Sequence, residues 1–135
     1  MKPELDPALV EDPYPMQELI GMRHVAWSEG AARFEIPLRD ALMNRYGIPH
    51  GGLYAVLLDT VMGYAGSYTG DAEHRRLVMT LSLVTNFLSQ PKGRLLIGEG
   101  RRIGGGRRTY FAEGTVTDET GELVATGSGT FRYRG

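Results

Sequence analysis

Thirteen consecutive residues, 53–65, read LYAVLLDTVMGYA and would be apolar on every face of a helix except at Asp59 and Thr60. A bilayer span needs roughly 18–20 such residues, so this stretch is too short to cross a membrane. A helix hydrophobic all round must then be enclosed by protein. Gly63 and Gly66 lower its intrinsic propensity, which fits a helix held by close packing rather than one that stands alone. The rest of the chain must therefore wrap it. Asp59 is the only acid between Asp40 and Asp71. An apolar helix is a costly place for an idle carboxylate. The plain alternative is a structural acid satisfied by a neighbouring hydroxyl such as Thr60.

The flanking sequence has the alternation of strands rather than the period of helices. Residues 23–27 and 31–38 read as extended pieces joined by a turn at Ser28-Glu29-Gly30. Residues 40–49 are polar and turn-rich. After the helix, Leu77, Met79, Leu81 and Leu83 alternate with Val78, Thr80, Ser82 and Val84, and the pattern runs on to Phe87-Leu88. Gln90-Pro91-Lys92-Gly93 turns the chain into residues 94–100, and the loop Gly104-Gly105-Gly106 leads to residues 107–117. A turn at 118–121 then opens the last strand, 122–133. One buried helix followed by long antiparallel strands predicts an α+β fold, with a curved antiparallel sheet wrapped around a long central helix. Pro3, Pro7, Pro13 and Pro15 mark residues 1–15 as an arm without regular structure. Residues 16–135 are then a single domain, opening with a short helix over 16–22 that turns Leu19, Ile20 and Met22 inward.

Composition narrows the function classes. A length of 135 residues suits one domain. There is no cysteine, which removes disulfides, thiolate zinc sites and cysteine nucleophiles. His24, His50 and His74 lack the spacing and partner acids of a metal site, so no metal is expected. The net charge of −1 argues against a nucleic-acid binder. The acidic, proline-punctuated start has no apolar core of a signal peptide, so a cytoplasmic protein with no membrane attachment is expected. The charge is segregated. Residues 4–18 carry five acids and no base, whereas residues 74–112 carry eight bases and one acid, Glu99.

Chemistry concentrates in Asn44-x2-Gly47-x2-His50-Gly51-Gly52-x6-Asp59. Gly51 and Gly52 stand where the helix begins, so their N–H groups lack intrahelical partners and face an anion with the positive end of the helix dipole. The plain alternative is a tight turn into the helix. Gly51 and Asp59 are eight residues apart, ~12 Å along a helix axis. Groups acting on one carbonyl must converge within about 3–4 Å of it. One chain therefore cannot supply both to the same substrate. Two copies with antiparallel helices about a two-fold axis can, which predicts a homodimer with shared sites.

This motif resembles that of the hotdog-fold thioesterases, specifically the phenylacetate-degradation (PaaI-like) acyl-CoA thioesterase family. Residues 80–88 (TLSLVTNFL) resemble the strand after that family's helix, and residues 118–127 (DETGELVATG) resemble its final hairpin. The likeness covers roughly residues 17–134. It implies the hotdog fold and hydrolysis of an acyl-CoA to the free acid and coenzyme A, which is part of the substrate, so no cofactor is expected. The Gly51 N–H and Asn44 would polarise the thioester carbonyl, and Asp59 would act as general base or as nucleophile. Thr80 would help hold the attacking water, unless it is an ordinary strand threonine. His50 would order the loop or the substrate. Substrate contacts would come from Gly52, Lys92, Gly105, Gly106, Arg107 and Arg108, the arginines suiting phosphates. The plain alternatives are a flexible hairpin tip for the glycines and a solvated face for the arginines. Tyr54, Met62, Tyr64 and Phe87 are candidates for the acyl pocket. The resemblance also implies sites shared between subunits and dimers that pair into tetramers. Rival readings are a hotdog acyl-thioester dehydratase or hydratase, and a non-catalytic acyl-CoA-binding module.

Overall fold

The apolar stretch forms a helix that begins two residues before its first large side chain. His50 is extended, and its Nδ1 accepts the Gly52 N–H at 2.9 Å, satisfying one of the donors a helix start leaves open. In this computed structural model, which describes residues 4–135, the main elements are α1 (Pro15–Ile20), β1 (Arg23–Ser28), β2 (Ala31–Pro37), α2 (Gly51–Ala65), β3 (Val78–Phe87), β4 (Leu95–Gly105), β5 (Thr109–Asp118) and β6 (Leu123–Tyr133). Short 3-10 turns lie at Pro7–Leu9 and Asp40–Leu42. The strands form one antiparallel sheet in the order β1-β2-β4-β5-β6-β3, and α2 touches all six. This is the curved sheet around a central helix expected from the sequence.

The helix beds on a row of small residues. Gly100, Gly114 and Gly127 are direct cross-strand partners on β4, β5 and β6. A Cβ at Gly100 would lie 2.3 Å from the Val61 carbonyl oxygen of α2, so the sheet must be bare there for the helix backbone to come down onto it. Leu57, Leu58, Val61 and Met62 then insert fully into the core with Phe34, Ile36, Leu96 and Phe131. Met62 is thus a core residue and no part of an acyl pocket.

Several local expectations need correction. In β3 the pairing slips between Thr80 and Ser82, one extra residue that reverses the alternation. Leu77, Met79 and Leu81 are left exposed, whereas Leu83 packs on the core, so the four do not share a face. Helix α1 spans Pro15–Ile20 and stops at Gly21, whose φ of +82° closes the helix. Ile20 and Met22 are buried as expected, but Leu19 points to solvent and Gln17 is buried in its place. Strand β4 continues through Gly104 to Gly105, leaving Gly106, Arg107 and Arg108 as the hairpin tip. The arm, expected to lack regular structure, carries a 3-10 turn at Pro7–Leu9 and docks on the domain. Leu9 is buried with Trp27 and Ala32, and the Trp27 N–H donates to the Glu4 carbonyl at 3.3 Å. Pro3, assigned to the arm from the sequence, lies outside the described residues.

The arm covers an aromatic cluster with a titratable member. His24 stacks on Phe34 at 4.2 Å and meets Trp27 and Tyr64 edge-on or tilted at 5.1 and 5.0 Å. Burial lowers its pKa from 6.5 to about 4, against a smaller opposing effect of its bond with the Ala26 backbone. A depressed base is neutral when folded, so its contribution is complete above pH 6.5 and drains as pH falls towards 4. Urea unfolding should register a loss of about 3 kcal/mol across that window. The loss should largely vanish in His24→Phe; an equally steep decline in that variant would assign it to another group.

Candidate active site

Helix geometry separates Asp59 from its sequence neighbours. Leu57, Leu58, Val61 and Met62 turn into the core, so the carboxylate does not lie among them as the linear sequence suggests. Asp59 instead shares the outer face of α2 with Gly52, Ala55 and Val56, which the chain's own sheet leaves uncovered. Thr60 does not cap it, because the Thr60 hydroxyl donates to the Val56 carbonyl at 2.8 Å. The partner is Thr80 on β3, whose hydroxyl donates to Asp59 Oδ1 at 2.6 Å. Thr80 reaches inward because it precedes the bulge. Together they border a cavity of about 350 Å³ that runs along Gly63, Tyr64 and Val78. Burial pushes the Tyr64 phenol up to about 12, against the hydrogen bond from Gln17, so it remains a neutral hydroxyl.

At the other end of α2, the two glycines differ. The Gly52 N–H is taken by His50 Nδ1. The Gly51 N–H has no acceptor among the described residues. Asn44 shapes the approach: its Oδ1 accepts the Tyr46 N–H at 2.8 Å, and its backbone N–H donates to the Ile48 carbonyl at 2.7 Å. The Phe87 ring lies over Gly51, 3.3 Å from where a Cβ would stand, and its centroid is 6.2 Å from that of Tyr54. Tyr54 and Phe87 thus gather at the Gly51 end, and Tyr64 at the Asp59 end. Gly51 and Asp59 themselves remain ~12 Å apart on one helix.

The basic candidates are also split. The Lys92 N–H donates to Asp118 Oδ2 at 2.6 Å and its Nζ pairs with Glu122 at 3.2 Å. Burial raises the Asp118 pKa, but hydrogen bonds from Thr120 and from the Gly93, Lys92 and Glu122 backbones outweigh it and hold the carboxylate well below its usual range. Gly105, with φ +127°, and Gly106, whose N–H donates to the Thr109 carbonyl at 2.8 Å, shape the hairpin tip that presents Arg107 and Arg108. That tip stands beyond the far end of β4 from Lys92, ~33 Å for eleven residues of strand. It lies instead beside Arg76, which stacks 3.5 Å over the Tyr133 ring and donates to the Arg107 carbonyl at 3.3 Å. Among the described residues, none of Arg76, Arg107 and Arg108 pairs with a carboxylate.

Sequence reasoning missed Glu11, Tyr14, Arg75 and Arg76 as neighbours of Asp59, although all four border its cavity. The segregation of an acidic arm from a basic stretch was the available signal, because Arg75 pairs with Glu11 at 3.7 Å.

Known proteins share this fold. The family model described as the thioesterase superfamily matches residues 46–125. The 1,4-dihydroxy-2-naphthoyl-CoA hydrolase of Listeria monocytogenes is 28% identical over 111 residues, spanning 81% of this chain and 87% of that protein. The structure of a conserved protein of Pseudomonas aeruginosa superposes with a TM-score of 0.81 at 29% identity, covering 94% of this chain and 97% of that one. PaaI of Escherichia coli, from the phenylacetic acid degradation operon, shares the fold with a TM-score of 0.79 at 18% identity, over 90% of this chain and 86% of that one. The family match runs from the loop before α2 into β6, more than half of the chain and all of the Gly51-to-Thr80 constellation, so this chain belongs to the thioesterase superfamily and is a thioester hydrolase with the hotdog fold.

Proposed function

We propose that the thioester is that of an acyl-CoA, hydrolysed to the free acid and coenzyme A at two sites shared across a homodimer. The observation that carries this reading is the placement of an unpartnered N–H at Gly51 and a carboxylate at Asp59 on one helix, too far apart to meet on one carbonyl. Two chains with antiparallel α2 helices bring Gly51 to the partner subunit's Asp59. The uncovered face of α2 and the exposed apolar side chains of β3, an edge strand, suit such a contact.

In each site the Gly51 N–H, with the dipole of α2 behind it, would stabilise the oxyanion that forms as the thioester carbonyl is attacked. Asp59, oriented by Thr80, would either take a proton from the attacking water or attack directly to form a mixed anhydride that water then opens. Asn44 would hold the loop that aims Gly51, and the coenzyme A thiolate would leave. Only water is needed as second reactant, so we assign no cofactor. We assign Lys92, Gly105, Gly106, Arg107 and Arg108 to substrate binding, the arginines suiting the coenzyme A phosphates. We place the enzyme in the cytoplasm as a dimer that pairs into tetramers.

Subunit mixing tests the shared site. Gly51→Pro deletes the N–H at a first helical position that proline favours, and its ring requires the Phe87 side chain, 3.3 Å from the Cβ position, to shift slightly. Gly51→Pro and Asp59→Asn chains should each be inactive on acyl-CoA, and after exchange a statistical mixture should recover about a quarter of wild-type thiol release, since half the dimers then carry one intact site. No recovery after verified exchange would place the site within one chain. Failure of the wild type to release thiol from any acyl-CoA in a panel would favour a binding module instead.

A further inference from the structure

The cavity beside Asp59 is bordered at its far end by residues that come from outside the helix and sheet. Glu11, Asp12 and Tyr14 of the arm form one side, and Arg75 and Arg76 of the α2–β3 connection form the other. The wall is built rather than casual. Leu9 anchors the arm in the Trp27 cluster, Glu11 reaches across to Arg75 at 3.7 Å, and the Tyr14 N–H is held by Gln17 Oε1 at 3.3 Å. Gln17, itself buried, also donates to the Tyr64 hydroxyl at 3.1 Å, so arm, helix α1 and cavity floor are joined in one chain of contacts. Trp27 fixes the same floor from behind by donating its indole N–H to the Tyr64 carbonyl at 2.8 Å.

Resting on the acyl-CoA hydrolase reading, we infer that Glu11, Tyr14 and Arg75 are specificity-determining residues that limit the acyl group to short chains or a single ring. An acyl carbon attacked beside Asp59 directs its chain along α2 towards Tyr64, the floor of this wall. Tyr64 is five residues further on, ~7.5 Å along the axis. An extended chain advances about 1.2 Å per bond, so roughly six bonds reach the wall. Beyond that point a methyl end meets an ion pair and phenol hydroxyls. Longer alkyl groups must part Glu11 from Arg75 or strip water from both without replacing it, which disfavours them. A short acyl or aryl group ends before that cost arises.

Specificity constants for acetyl- to dodecanoyl-CoA test the assignment. In the wild type kcat/KM should fall steeply beyond about eight carbons. Glu11→Leu combined with Arg75→Leu turns the wall apolar and should raise the decanoyl-to-butyryl ratio of kcat/KM by roughly 10-fold or more. Tyr14→Ala, which opens space without touching the ion pair, should move the ratio the same way. The swap Glu11→Arg with Arg75→Glu should restore the wild-type profile, which a merely structural role of either residue would not require. A wild type that turns over acyl-CoAs, with a chain-length profile unchanged in the Glu11→Leu/Arg75→Leu double variant and in Tyr14→Ala, overturns this inference alone. A wild type that turns over none overturns the acyl-CoA reading and the inference with it.

Discussion

Asp59→Asn should lower kcat for thioester hydrolysis by roughly 10²–10⁴-fold while leaving the melting temperature nearly unchanged. The two effects separate because the carboxylate contributes charge and a proton acceptor to the cavity but little to the packing. It is half-buried on the outer face of α2, clear of the core formed by Leu57, Leu58, Val61 and Met62. An asparagine fills the same volume, and its amide oxygen can still accept from the Thr80 hydroxyl that now lies 2.6 Å from Oδ1. What it loses is the basicity needed to take a proton from water and the nucleophilicity needed to attack a thioester, so the loss falls on kcat whichever route operates. Purified variant and wild type compared by thiol release and by thermal unfolding give both readouts. Retention of most of the activity would remove Asp59 from the chemistry. A collapsed melting temperature would make it a structural acid.

Gly100→Ala should destabilise the fold by about 3 kcal/mol or more. The new Cβ would sit 2.3 Å from the Val61 carbonyl oxygen and 2.8 Å from the Met62 nitrogen. Both belong to helix backbone, which cannot yield by a rotamer change. Relief requires α2 to rise as a unit, off Gly114 and Gly127 and away from the aligned side chains that fill the curve of the sheet. The same lift would draw Asp59 away from Thr80, so any folded remnant should also lose activity. Gly104→Ala on the same strand is the control, since nothing lies within 4 Å of its Cβ position, and it should stay within about 0.5 kcal/mol of wild type. Equal urea midpoints for the two variants would mean that the helix does not bed on the glycine row.

The glycine row shows where the sequence stops short. Gly98, Gly100, Gly114 and Gly127 are visible as glycines in strand-like stretches, but their common purpose depends on register, which aligns residues from three strands under one helix. The bulge in β3 shows the same limit. The alternation of Leu77, Met79, Leu81 and Leu83 is real in the sequence, yet one extra residue before Ser82 reverses it, and only pairing with β6 reveals the slip. On paper Thr60 is the hydroxyl offered to Asp59, and Thr80 is assigned to the attacking water. The helix disposes of Thr60 by giving its hydroxyl a backbone acceptor one turn back, while the strand delivers Thr80 from twenty-one residues away.

The apolar segment of thirteen residues with its single acid determined, by itself, that this chain must wrap a helix and must find a use for Asp59. Hydrophobic period and the cost of an idle carboxylate are local properties, written in the order of the residues. Tertiary structure decided which way Asp59 points, that the Gly51 N–H is the one left open, that Lys92 and Arg107 stand at opposite ends of β4, and that the acidic arm borders the cavity through Glu11, paired with Arg75. Those facts rest on contacts between residues distant in sequence, whose geometry is set by register and packing rather than by any stretch of chain.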